Sequence, residues 1–236
     1  MENFLGGYYL IKLRPLEFGP HLGEFVYTAS DCINDSLLGD WAYSWAARRK
    51  PSKQAKESLR LSDEHLLEIR KWVESNHQKN LVGWVNLFST RDSVLEFKHK
   101  FFSHLDNLQA ISLYFDSGEA DEIIEEFKPR SEVEGEIGLY HNLSKHIPEE
   151  AQPDEILIGY DLIGIEAGGS FHSFHCHGIG QELEQRFGLV LNKYGLFDVH
   201  NDWKTVLDFL NDEENGCEPV PWFVAKTKLV SSNTHV

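Results

Sequence analysis

Basic residues are scarce in this chain. Its 236 residues include 22 Lys and Arg against 38 Asp and Glu, which gives a formal net charge of −16 at pH 7. Proteins that bind nucleic acids neutralise phosphates with clustered Lys and Arg, and anionic membrane surfaces attract the same residues. The charge balance therefore argues against nucleic acid and membrane as partners, and it favours a basic protein partner or simply high solubility.

Long apolar runs and paired cysteines are also missing. No segment approaches the roughly 20 consecutive apolar residues of a membrane span, and the first residues lack the positively charged start of a secretion signal. The three cysteines, Cys32, Cys176 and Cys217, are odd in number and far apart. This pattern predicts reduced thiols and a cytoplasmic protein.

The motifs of several large enzyme classes are absent as well. The sequence contains no P-loop, no Gly-x-Gly-x-x-Gly, no His-Glu-x-x-His, no Cys-x-x-Cys and no Gly-x-Ser-x-Gly. The sequence therefore predicts no cofactor, and it gives no direct support to nucleotide-dependent, thioredoxin-like or serine-hydrolase chemistry.

Apolar periodicity predicts several helices. Ser62 is an N-cap candidate before an amphipathic helix over 63–76, and a second apolar stripe favours a helix over 91–104. A short acidic helix should end near Pro129, because proline disrupts a helix interior. Two further helices are predicted near the C-terminus, over 180–187 and around 203–210.

Short apolar and β-branched runs predict the strands. GYYLIKLR (7–14) and EFVYTAS (24–30) resemble the two arms of a hairpin, and ILIGYDLIGI (156–165) is a further clear strand. Strands are also predicted at LVGWVNLF, AISLYF and PWFVAKTKLV. We predict an α+β fold, with a mixed or mainly antiparallel sheet and several packed helices. Residues 1–236 are expected to form one compact domain, with a candidate sub-domain boundary within 128–155.

Acidic charge is concentrated in one part of the chain. Residues 116–155 contain 13 Asp and Glu against three basic residues, so they contribute −10 of the net charge. In the acidic helix, Ile123, Ile124 and Phe127 are predicted to face the core and the glutamates to lie mainly on the outer face. We expect this segment to bind a partner through Glu119, Glu122, Glu125, Glu126, Glu132, Glu134 and Glu136.

Histidines and a cysteine cluster in the stretch GGSFHSFHCHGIGQELEQRFG. If the chain is extended there, His175 and His177 project to one side, and Glu182 supplies an oxygen ligand. The spacing Gly169-x5-His175-x-His177-x4-Glu182-x5-Gly188 is similar to the first motif of the cupin metal-binding barrels. The second cupin motif, with its Pro-x-Gly turn and third histidine, has no counterpart in residues 189–236. We therefore expect no resident metal.

The same stretch has two other interpretations. Cys176 lies between two histidines, and an imidazolium lowers a thiol pKa, so a Cys–His nucleophile is one alternative. On a strand, however, Cys176 would face away from both neighbours. The interpretation that we favour is structural: a strand, a turn after Gly169 and a helix near Gly180, with histidines that satisfy backbone groups.

In size, acidity, predicted compartment and lack of catalytic motifs, the chain resembles the immunity proteins of bacterial toxin systems, including contact-dependent growth inhibition. The resemblance implies a protein that neutralises a cognate, basic toxin by covering its active site. It implies no specific residue. The first alternative is a metal-assisted or Cys–His enzyme with its site around 172–182. The second is a structural or regulatory subunit of an assembly.

Overall fold

Seven strands form one antiparallel sheet in the computed structural model of the chain. The structure describes residues 2–19, 21–43, 49–83, 86–129, 138–151, 154–166, 169–212, 214 and 216–231. The strands are β1 (Asn3–Lys12), β2 (Asp35–Ser36), β3 (Leu87–Phe88), β4 (Leu108–Asp116), β5 (Ile156–Ile165), β6 (Phe171–Ser173) and β7 (Trp222–Leu229). Their order is β2-β1-β4-β7-β5-β6, and β3 pairs with β1 beside β2.

Seven α-helices are described. They are α1 (Lys53–Ser58), α2 (Asp63–His77), α3 (Arg91–Phe102), α4 (Ser117–Glu126), α5 (Gly138–Leu143), α6 (Gly180–Phe187) and α7 (Trp203–Leu210). Short 3-10 helices occur at Asp40–Ala42, Glu149–Ala151 and Phe174–His177. None of the described helices combines the length and the apolar character that crossing a membrane requires.

The predicted α+β class is confirmed, and every pairing between the described strands is antiparallel. The helix predictions with a clear capping signal are also confirmed. The Ser62 side chain accepts a hydrogen bond from the His65 amide at the start of α2. Gly188, with φ 67°, ends α6 in the left-handed region that favours glycine.

The predicted N-terminal hairpin is wrong as a pair of strands, and only an isolated antiparallel bridge joins Pro15 to Phe25 among the described residues. Residues 24–30 form no strand, and β1 pairs instead with β2, β3 and β4. The reason is a side chain: Asn34 Nδ2 donates to the carbonyls of Val26 and Thr28, at 2.7 and 3.0 Å. These carbonyls are therefore satisfied without a strand ladder. The strand predicted over 81–88 is also shorter than expected, since Asn86 adopts a φ of 62° and interrupts it.

The two faces of the sheet carry different sets of apolar residues. One face packs Ile111 of β4 and Phe223 of β7 against α4 and α5. The other face carries two separate apolar clusters: Tyr8 packs with α2 and α3, whereas Trp222 packs with α6 and α7. Tyr114 of β4 belongs to the first of these clusters. Because side chains alternate along a strand, its register partner Lys226 of β7 lies on the same face.

One ladder joins the strands of the N-terminal half to those of the C-terminal half. Ile111–Tyr114 of β4 pair with Lys226–Leu229 of β7 over four residue positions. By comparison, β1 and β4 pair over nine positions and β5 and β7 over eight. The predicted single domain, and the candidate boundary within 128–155, stay predictions.

Candidate functional site

A groove lies between α4 and α7, beside the short ladder that joins β4 to β7. It has a volume of about 560 Å³. Tyr114, Tyr160 and Val224 are among the strand residues that line it, together with Glu122 of α4 and Trp203 of α7. The groove therefore combines aromatic surface with carboxyl groups. We call it the α4–α7 groove.

Glu119 is a half-buried carboxyl group in this groove. Its Oε1 accepts a hydrogen bond from the Val224 amide at 2.8 Å, on the part of β7 that β4 does not reach. Burial raises the pKa of Glu119 to about 8. The Val224 amide opposes this rise, whereas Asp116 and Glu122 add to it. Because its carboxyl group is hydrogen-bonded to the backbone of β7, Glu119 does not point outward from α4 as the sequence predicts.

The other predicted partner-binding glutamates fall into two groups. Glu122, Glu125 and Glu126 are exposed on α4, while Ile123 and Phe127 are buried beneath them. This arrangement matches the predicted faces of the helix. Glu132, Glu134 and Glu136 lie outside the described residues. The exposed carboxylates of α4 thus lie next to the groove, which Glu122 lines.

Part of the acidic segment serves an internal role. Glu149 forms ion pairs with Lys226 and Lys228, both at 2.6 Å, and Glu155 accepts hydrogen bonds from Ser112 and Tyr114, both at 2.7 Å. Burial raises the pKa of Glu149, but the two lysines lower it more, so the net pKa falls below its usual range. The surface charge of this segment is therefore smaller than the −10 obtained from the sequence.

Both lysines that line the α4–α7 groove are already paired. Lys204 Nζ lies 2.6 Å from Asp208 on the same helix, and Lys226 is bound by Glu149. Glu122 has no ion-pair partner among the described residues. The charge that the groove can offer to a partner is therefore negative.

An apolar depression continues the α4–α7 groove. It has a volume of about 840 Å³, and it shares Tyr160 and Val199 with the groove. Leu157 and Tyr194 also line it. Val199 is 74% exposed and Leu157 48% exposed, and both line the same depression. Contiguous exposed apolar surface of this kind is typical of interaction sites.

Family models, curated proteins and solved structures were compared with this chain, and none matches. The function must therefore be argued from the sites themselves. Two sites are candidates. One is the α4–α7 groove with its apolar extension, and the other is the histidine-rich stretch of residues 169–188, which we call the histidine turn.

The structure separates the residues predicted as a metal site. His175 and His177 lie in a 3-10 helix, not on a strand, so they do not project to the same side. His175 is buried, and its Nε2 donates to the Gly195 carbonyl at 2.9 Å. Glu182 is paired with Arg186 at 2.6 Å. The cupin-like spacing thus does not place these three groups around one ion.

Cys176 does not form a Cys–His pair with its neighbours. Its Sγ lies 3.8 Å from the Ser30 hydroxyl, and burial raises its pKa to about 11. The ring of His177 packs edge-on against Trp222, with centroids 5.7 Å apart. A half-buried thiol with a raised pKa and no imidazole partner is a poor nucleophile.

The histidine turn instead brings together a different set of groups. His172, His177 and Glu218 each offer one possible ligand atom, and these atoms lie within 4.8 Å of one another. Burial lowers the pKa of His177, and His172 adds to this effect while Glu218 opposes it. Sequence analysis missed Glu218 because it lies far along the chain, in the loop before β7. No local spacing signals this contact.

Asp161 is a fully buried carboxyl group outside both sites. It lies on β5, on the same face as Ile163, and neither oxygen has a well-aligned hydrogen bond among the described residues. Burial raises its pKa to about 7, and the nearby Thr28 hydroxyl and Leu162 amide reduce this rise. A carboxyl group in this position is a source of pH-dependent stability.

Proposed function

We propose that this chain is an acidic, cytoplasmic protein-binding module of the immunity type, which binds a basic toxin domain and covers its active site. One observation carries the proposal. The exposed apolar side chains of Leu157 and Val199 continue directly into a groove with unpaired acidic groups at its edge.

This combination matches how protein interfaces are built. Binding energy concentrates in a few apolar and aromatic contacts that exclude water, and charged groups at the rim mainly determine the rate and specificity of association. Here Tyr160 and Tyr194 lie with Leu157 and Val199 in the apolar depression. The exposed carboxylates of Glu125 and Glu126 follow Glu122 along α4. They would attract a basic surface and repel nucleic acid.

Charge reversal on α4 tests the electrostatic part of the proposal. We expect Glu122→Lys, Glu125→Lys and Glu126→Lys, combined, to slow association with the partner at low salt. The salt dependence of the association rate should flatten too, because the steering field is lost. The matched control is the same reversal on α2, at the exposed residues Glu64, Glu68 and Glu74.

The partner is first captured from the source organism with the wild-type chain, then identified and purified. Association rates are measured by biolayer interferometry at low and high salt, after circular dichroism has shown that both triple variants are folded. Equal effects from the α2 and α4 variants would contradict a specific role for α4.

Substitution of Val199 tests whether the apolar depression contributes to partner binding. We expect Val199→Asp to weaken binding mainly through faster dissociation, because it places a charge in the centre of the proposed interface.

A growth assay tests the immunity role separately. The purified partner should inhibit growth when it is expressed alone, and coexpression with the wild-type chain should relieve that inhibition. A partner without toxicity would refute the immunity role, even if it binds.

A further inference from the structure

Three potential metal ligands lie close together at the histidine turn, and they come from two separate segments of the chain. His172 belongs to β6 and His177 to the 3-10 helix that follows, whereas Glu218 lies in the loop before β7. All three residues are half-buried, and their potential ligand atoms lie within 4.8 Å of one another. Two imidazoles and a carboxylate are a donor set that suits zinc and similar divalent ions.

A carboxylate holds the ring of His172. Its Nε2 donates to Glu166 Oε1 at 2.8 Å, so in the neutral ring Nδ1 carries the lone pair that can bind an ion. Metal-binding histidines normally make such a bond to a carboxylate or carbonyl, because it fixes the tautomer and the orientation of the ring.

His177 has an unused nitrogen. Its Nε2 is buried, and it has no hydrogen-bond partner among the described residues. Buried polar atoms are normally paired, so an unpaired one calls for an explanation such as an ion or a water molecule. His175, two residues earlier, shows the contrast, because its Nε2 is fully used by the Gly195 carbonyl.

Trp222 contacts both His177 and Glu218. Its ring packs against the ring of His177, and its indole Nε1 donates to the Glu218 carbonyl at 3.2 Å. The Val220 amide donates to the same carbonyl at 2.8 Å. The backbone of Glu218 is therefore held close to His177 before any ion binds.

We propose that His172, His177 and Glu218 form a binding site for one divalent ion of the zinc class, with Glu166 as the residue that positions His172. Zinc holds nitrogen and oxygen ligands at about 2.0–2.2 Å, so ligand atoms around a tetrahedral ion are about 3.3 Å apart. The three ligand atoms must therefore move closer by up to about 1.5 Å, through small side-chain rotations of the two histidines as well as of Glu218. Three protein ligands leave one coordination position for water or for an anionic group.

This proposal replaces the expectation of no resident metal, which considered only His175, His177 and Glu182. It is independent of the proposed protein-binding function, because none of these ligands lines the α4–α7 groove or its apolar extension.

Titration of the chelator-treated full chain with Zn²⁺ tests the site, with isothermal calorimetry as the first readout and the visible spectrum of bound Co²⁺ as the second. We expect one ion per chain, and a tetrahedral Co²⁺ spectrum. His177→Ala and Glu218→Gln should each abolish saturable binding. Glu166→Gln should weaken binding about 10- to 100-fold, as is typical for groups that position a ligand.

His104→Ala is the matched control. The rings of His65 and His104 lie 6.0 Å apart, so they form another close pair that could hold an adventitious ion. The proposal requires that His104→Ala leave the affinity unchanged. It is overturned if wild type binds no stoichiometric ion, or if binding survives Glu218→Gln in a protein with an unchanged circular dichroism spectrum. Glu218→Gln decides the matter if His177→Ala does not fold.

Discussion

Replacement of Asp161 by asparagine should stabilise this protein at alkaline pH. The folded state raises the pKa of Asp161 to about 7 from an ordinary value of 3.8. At pH values between these two pKa values, Asp161 is protonated in the folded chain and ionised in the unfolded chain. The free energy of unfolding therefore falls as the pH rises through this window. Asparagine has nearly the same shape and does not titrate, so the variant should lack this loss.

The magnitude follows from the shift in pKa. One pKa unit corresponds to about 1.4 kcal/mol, so the complete titration of Asp161 destabilises wild type by about 4 kcal/mol above pH 8. Part of that loss has already occurred at pH 5. Between pH 5 and pH 8.5, we expect the stability of Asp161→Asn relative to wild type to grow by about 3 kcal/mol.

Urea unfolding of both proteins at several pH values between 5 and 8.5 measures this difference. The other titrating groups, Glu119 among them, are present in both proteins and largely cancel. Asp154→Asn makes the same substitution at an exposed carboxylate and is the matched control. A difference between wild type and Asp161→Asn that stays constant across the range would refute the reasoning.

Three further substitutions test other features of the fold. Cys176→Ser should leave the melting temperature and partner binding unchanged, and lost binding by a stable variant would revive the nucleophile hypothesis. Glu149→Gln removes a charge that pairs with the buried Lys228, so we expect urea unfolding to show a loss of about 3–5 kcal/mol. A loss below 1 kcal/mol would contradict this role. Gly83→Ala would place its Cβ in a steric clash with the Cα of Gly138, and should cost at least about 1–3 kcal/mol. An unchanged melting temperature would show that the contact is absent.

The sequence predicted those elements whose signals are local. The extents of β5 and α6 agree with the prediction, because an uninterrupted apolar run marks the strand and Gly188 marks the end of the helix. The N-terminal hairpin was wrong because β1 pairs instead with β4, which lies about 100 residues further along the chain. A single side chain, Asn34, satisfies the backbone that a hairpin partner would otherwise use.

The candidate sites were predicted less completely for the same reason. Helical periodicity correctly placed Glu122 on the outer face of α4. It could not show that Glu119 reaches the vacant edge of β7, since that contact depends on where β4 ends. Likewise, the histidine turn was recognised from its composition, but its acidic partner, Glu218, depends on the fold of the C-terminal loop.

The short ladder between β4 and β7 has a consequence for motion. Only four residue pairs join these strands, and one of them, Tyr114 with Lys226, also lines the α4–α7 groove. Backbone amides in such a narrow junction should open more readily than those of the longer ladders on either side. A protein bound across α4 and α7 would hold the two sides together. Its binding should therefore slow hydrogen exchange at this junction more than elsewhere in the sheet, at amides that it does not touch.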